Sequence, residues 1–165
     1  MRTLVIGLGN PVRADDAVGL HVARVVRQRL ADADAYAYAD DDHSIDVDEI
    51  WAGGLRLVEA MCGYDHAIVI DAMAAEGIVP GSLRRLDVAD LGACRTVTCA
   101  HDTSLPTALA LWREAGAALP ERIAVLGIGA DDLVSLAEAL TPAVAAAVPR
   151  AADLVMEELY RGRIS

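Results

Sequence analysis

Thr3-Leu4-Val5-Ile6-Gly7-Leu8-Gly9 is the stretch on which the fold turns. It is an apolar run bounded by glycines, with no polar residue between Leu4 and Gly9. A strand with one wet face alternates apolar and polar side chains. A continuous run is the mark of a strand buried on both faces, as in parallel sheets. Residues 10–15 then read as a polar turn. From about Asp16 to Leu30 the spacing predicts a helix, with Val18, Val22, Val25, Val26 and Leu30 as its buried stripe and Arg24, Arg27 and Gln28 facing water. Gly19 inside that helix costs about 1 kcal/mol against alanine, which points to a close approach of the helix to the sheet.

The same alternation of strand and helix continues outward. Residues 31–43 (ADADAYAYADDDH) are a solvated acidic loop, and Ile45 and Val47 mark a short second strand. Gly53-Gly54 opens a helix through Met61 that stops at Gly63. Ala67 to Ile70 is a third buried run, with Asp71 immediately after it. A turn at Gly77 and Pro80-Gly81 leads to a weaker edge strand over 82–88. Residues 89–103 read as a loop. Thr103 or Ser104 caps a helix with Pro106 in its first turn and Gly116 beyond its end. Ile123 to Ile128 is the last buried strand, and Thr141-Pro142 starts a terminal helix that Pro149 should kink. The pattern specifies a three-layer α/β fold: a mostly parallel twisted sheet of about five strands with helices on both faces, in one domain spanning 1–165.

Composition narrows the function. The chain has 165 residues, 55% of them hydrophobic, enough for a core without disulfide or metal staples. Its net charge is −11, and all fourteen basic residues are arginine. That balance argues against nucleic acid or an anionic membrane as partner. Cys62, Cys94 and Cys99 are odd in number and lack metal-site spacing, as expected of reduced cytoplasmic thiols. The opening residues are too short in apolar length for a signal peptide, and no segment has ~20 apolar residues free of charge. A cytoplasmic protein is expected.

In open α/β sheets, ligands bind beyond the carboxyl ends of the strands. Three polar positions fall there: Asp15-Asp16 after the first strand, Asp71 after the third apolar run, and His101 before the 104–115 helix. If their strands are neighbours, two carboxylates and an imidazole share one rim. Such a trio suits a borderline divalent cation and leaves coordination positions open. It equally suits acid–base work, with one carboxyl raised by the other. Each residue also has a plainer role. Asp15 and Asp16 stand where a helix N-terminus favours an acid, Asp71 could cap a turn, and His101 could be a surface histidine. His21, His43 and His66 read as structural.

Other chemistries are poorly matched. Gly7-Leu8-Gly9 begins like a dinucleotide GxGxxG, but Val12 stands where the third glycine belongs, and Asp15-Asp16 would face the pyrophosphate. The sequence contains no GK[ST], GxSxG or HExxH.

Gly7-Leu8-Gly9-Asn10-Pro11-Val12-Arg13-Ala14-Asp15-Asp16-Ala17-Val18-Gly19 resembles the opening signature of the hydrogenase maturation proteases: GxGN, four residues, Asp, Asp or Glu, two residues, Gly. Ile68-Val69-Ile70-Asp71-Ala72 resembles the family's second block. Cys99-Ala100-His101 followed by Leu105 resembles its third, and Gly127-Ile128-Gly129 and Leu140-Thr141-Pro142 fit its C-terminal third. The resemblance implies an endopeptidase that removes the C-terminal peptide of a nickel–iron hydrogenase large-subunit precursor after nickel insertion. Nickel, carried by the substrate, is the recognition mark, and no organic cofactor is implied. By the resemblance Asp16, Asp71 and His101 are the nickel-contacting and catalytic candidates, in a protein expected to be a monomer. A carboxylate base activating water and nickel-assisted attack both remain open as hydrolytic routes. The alternative is a metal-dependent chaperone or checkpoint protein that binds the loaded precursor without cutting it.

The sequence departs from the family pattern at Glu49-Ile50-Trp51-Ala52-Gly53-Gly54. There Trp51-Ala52 replaces a Gly-Thr pair in a loop expected to line the same rim.

Overall fold

The structure, a computed structural model, describes residues 1–33, 43–51, 54–86, 88 and 105–162. In chain order the elements are β1 (Arg2–Leu8), a 3-10 turn (Asp15–Ala17), α1 (Val18–Ala33), β2 (Ser44–Ile50), α2 (Gly54–Met61), β3 (His66–Met73), β4 (Leu83–Leu86), α3 (Leu105–Glu114), β5 (Arg122–Gly129) and α4 (Pro142–Gly162). The sheet runs β2-β1-β3-β5-β4. The first four strands in that order are parallel, and β4 lies antiparallel on β5 as the edge. This is the mostly parallel five-stranded sheet that the apolar runs specify.

Burial follows the reading strand by strand. Every residue of β3 is buried, and in β1 only Arg2 is exposed, as a central parallel strand requires. The edge strand β2 alternates, with Ile45 and Val47 facing the core between exposed residues. One face of the sheet packs α1 and α4 over Val5, Ile68, Ile70, Leu126 and Ile128. The other packs α2 and α3 over Leu4, Ile6, Val69 and Val125. The three layers thus enclose two cores, one on each side of the sheet.

Two boundaries differ from the sequence reading. The helix expected from Asp16 begins instead as a 3-10 turn, and α1 proper starts at Val18. Asp71 lies within β3, not after it. Its neighbour β5 extends to Gly129, so the ladder continues through Asp71↔Gly127 and Met73↔Gly129 before β3 ends. The terminal helix starts at Pro142 as expected and carries Pro149 in its interior. The expected acidic loop and the residue 89–103 loop lie largely or wholly outside the described residues, as do Thr103 and Ser104.

Gly19 is explained by a close approach. A Cβ there would collide with the carbonyl oxygens of Leu8 on β1 and Ile70 on β3. Only a glycine lets the start of α1 sit directly on the ends of the two strands that carry the acidic site.

Candidate functional site

The site is built where β1 and β3 run side by side, with Gly7 paired to Ile70. Beyond β1, Gly9 turns the chain at φ 149°, and its N–H donates to the Ile50 carbonyl at the end of β2. A side chain at Gly9 would strike the backbone carbonyl of Asp16. The glycine therefore lets the 3-10 turn fold back over the strand ends. That return places Asp16 beside Asp71.

Both carboxyl groups are buried; Asp16 and Asp71 are each 5% exposed. Asp71 is pushed up to about 8, first by burial and then by the negative charge of Asp16, while the Ala72 N–H opposes the shift. That N–H donates to Asp71 Oδ1 at 2.8 Å. With a value near 8, the Asp71 carboxyl holds its proton at neutral pH, and a cation arriving at the pair can displace that proton. Perturbed acids of this kind concentrate at functional sites.

Local spacing gives Asp15 a capping role at its own helix. The structure instead turns it toward the segment between β5 and α4. Its buried carboxylate accepts from the N–H of Thr141 (2.7 Å), the Thr141 hydroxyl (2.9 Å), and the N–H groups of Asp131 and Asp132 (2.9 Å each). Thr141 immediately precedes α4, so Asp15 helps satisfy the approach to that helix from across the molecule. Sequence reasoning misses both Thr141 and the 130–141 loop as parts of the site. The signals there are the Thr141-Pro142 helix start and the family resemblance of Leu140-Thr141-Pro142, and neither names a partner so far away in sequence.

Glu49 and Trp51, at the divergent stretch, separate in the structure. Glu49 turns back onto α1 and binds Arg24 at 2.7 Å and Arg27 at 2.9 Å. Burial pushes its carboxyl up, but those two arginines outweigh it and hold it below the usual range. Trp51 instead is 66% exposed, next to Ile50, whose carbonyl holds the Gly9 turn. Ala52 and Gly53 lie outside the described residues.

His101 also lies outside the described residues. Among those described, Asp16 and Asp71 come together as a pair, and no group of three His, Cys, Asp or Glu side chains could hold a metal ion. His21 and His66 sit elsewhere. Burial first, then Arg24 or Arg122 respectively, lowers each imidazole below its ordinary value, in keeping with structural, neutral roles. His66 lines a cavity of ≈ 400 Å³ between the sheet and α4. That cavity lies at the amino ends of β3 and β5, away from the acid pair. Its polar groups include Glu158, which already binds Arg85 and Arg122. An enclosed pocket is not required of a site that acts on a protein chain, and the buried acid pair lies at the opposite, carboxyl ends of the strands.

The family model described as hydrogenase maturation protease matches residues 9–158. The chain belongs to the hydrogenase maturation protease family. Hydrogenase 2 maturation protease of Escherichia coli (strain K12) is 27% identical over 160 residues, covering 96% of this chain and 91% of that protein. Among solved structures, the hydrogenase maturating endopeptidase HybD from E. coli aligns with a TM-score of 0.73 at 26% identity, over 98% of this chain and 94% of that one. A hydrogenase 2 maturation peptidase from Thaumarchaeota archaeon SCGC_AB-539-E09 aligns at 0.64 and 26% identity, over 96% and 98%. The resemblance drawn from the sequence motifs is therefore borne out, and so is the fold. This maturation protease is a peptidase. None of its described helices is long and apolar enough to cross a membrane.

Proposed function

We propose that this maturation protease cuts the C-terminal peptide from a nickel–iron hydrogenase large-subunit precursor once nickel is in place, and that Asp16, Asp71 and His101 read that nickel. The observation that supports the reading is the buried pair of acids at the ends of β1 and β3, with Asp71 pushed up to about 8. Such a pair is costly to the fold and is best explained by a cation that it meets in use. Carboxylate oxygens and a neutral imidazole are suitable ligands for a borderline divalent ion. Two or three protein ligands complete the shell of an ion that the precursor already carries, so the enzyme needs no resident metal and no organic cofactor. Docking on that ion sets the scissile bond against the site, and proximity supplies much of the rate. The reading has the protein act as a single-domain monomer in the cytoplasm.

The test is mass spectrometry of nickel-loaded precursor after incubation with the wild-type protein and with Asp16→Ala and His101→Ala. The wild type shortens the precursor at its C-terminus; both variants remain folded and leave it intact. Full cleavage by either variant removes that residue from the site.

A further inference from the structure

The Asp15 carboxylate is fully buried and takes four hydrogen bonds, from Thr141 N–H, Thr141 Oγ1, Asp131 N–H and Asp132 N–H. Three of these bonds fall on Oδ2 and one on Oδ1, and all four come from the segment between β5 and α4. Adjacent acids at the start of one turn thus divide their tasks: Asp16 faces Asp71, and Asp15 faces the β5–α4 connection.

That connection is fastened along its length to the same turn. The Asp15 N–H donates to the Asp132 carbonyl at 2.9 Å, the Ala14 N–H donates to the Ser135 carbonyl at 3.2 Å, and Arg13 forms an antiparallel bridge with Leu136. Within the connection, Asp132 Oδ1 accepts from the N–H groups of Val134 and Ser135. The connection also starts beside the other acid. It leaves β5 just after Gly129, the Ala130 N–H donates to the Met73 carbonyl at 2.9 Å, and Gly127 is the register partner of Asp71. Residues 130–141 therefore bridge the strand pair carrying Asp71 to the turn carrying Asp16. On the other side, Gly9 is pressed on the Asp16 carbonyl.

We propose that Asp15 is a positioning residue: its four hydrogen bonds to the 130–141 connection fix the turn that holds Asp16 against Asp71. Without that carboxylate the N–H groups of Asp131, Asp132 and Thr141 lose their acceptor, the connection is left to its backbone contacts with Arg13, Ala14 and Asp15, and the turn that carries Asp16 is held less firmly. An outer residue that orients a ligand or a reacting group characteristically contributes ~10–100-fold to binding or activity. The proposal rests on the reading of Asp16 given above.

The experiment measures kcat and KM for cleavage of nickel-loaded precursor by wild type, Asp15→Asn, Thr141→Val, Thr141→Ser and Asp16→Asn. Each protein is assayed well below its own melting temperature, so that rates are per folded molecule. Asparagine keeps the shape of aspartate but turns one oxygen into a donor that faces other donors. Asp15→Asn is expected to lose at least ~10-fold in kcat/KM. Thr141→Val, the milder change that keeps the backbone N–H, should lose several-fold, and Thr141→Ser, which restores the hydroxyl, should return wild-type rates. A residue that only stabilises the fold would lower the melting temperature and leave the rate per folded molecule unchanged. If Asp16→Asn is inactive while Asp15→Asn and Thr141→Val cleave at wild-type rates, the positioning role is overturned and the reading of Asp16 survives. If Asp16→Asn cleaves at wild-type rates, the reading of Asp16 fails and takes the positioning role with it.

Discussion

Replacing Asp71 with asparagine should make this protein more stable at neutral pH. The carboxyl is 5% exposed and is pushed from an ordinary value of 3.8 up to about 8 by burial and by Asp16. Its folded value lies above its unfolded one. Between about pH 4 and pH 8 the folded state therefore holds a proton that the unfolded chain has released, and stability falls as pH rises through that window. Above about pH 8 the loss levels off; below pH 4 it vanishes. At 1.36 kcal/mol for each pH unit, the cost at pH 7 is about 4 kcal/mol. The substituted amide has the same shape, carries no charge against Asp16, and keeps an oxygen for the Ala72 N–H. Allowing for an imperfectly matched amide, a gain of about 2–4 kcal/mol is expected, or roughly 5–15 °C in Tm for a chain of this size. Urea and thermal melts of both proteins from pH 4.5 to 9, in chelator, measure it. Other groups titrate too, so the difference between the proteins is the quantity to read: near zero at the acid end and growing toward pH 8. Parallel curves, or an Asp71→Asn variant less stable at pH 7, would refute the argument that these two acids repel in a buried site.

Added nickel should bind the isolated protein weakly and more tightly as pH rises toward 8, because the ion must displace the proton on the acid pair. Calorimetry at pH 6 and pH 8 reads this as proton release, and Asp71→Asn should bind more weakly than wild type. Gly19→Ala should destabilise the protein by about 1–3 kcal/mol, since its Cβ meets the Leu8 and Ile70 carbonyls; a Tm equal to wild type would show that α1 has room to move off the strand ends. Because Glu49 lies below its usual range through its bonds to Arg24 and Arg27, its contribution is present at neutral pH and lost as pH falls through its folded value. Arg24→Ala with Arg27→Ala should therefore lower Tm at pH 7 and have less effect near pH 3.

The elements that can be read from the sequence are those whose information is local. Continuous apolar runs at Leu4–Leu8 and Ala67–Ile70 mark strands buried on both faces, and the periodic valines of α1 mark a helix stripe. Gly19 announces its close contact because a helix-interior glycine carries a cost that something must offset. The position of Asp71 is misread by one strand end. An acid after an apolar run looks like a boundary, yet the ladder to β5 carries the backbone on to Met73. Asp15 is harder still. Its acid at a helix start has an ordinary local explanation, and the partners that overrule it, Asp131, Asp132 and Thr141, are 116 to 126 residues away. No periodicity or spacing rule reaches that far. His101 stands on its motif alone, outside the described residues.

The most direct test of the account is the rate at which wild-type protein cleaves nickel-loaded precursor beside the same precursor prepared without nickel. In the proposed reading the buried acids anchor the substrate through a cation it brings, so the loaded form should be shortened and the empty form should stay uncut even when nickel has been offered to the enzyme alone. Equal cleavage of the two forms would contradict nickel recognition by Asp16 and Asp71.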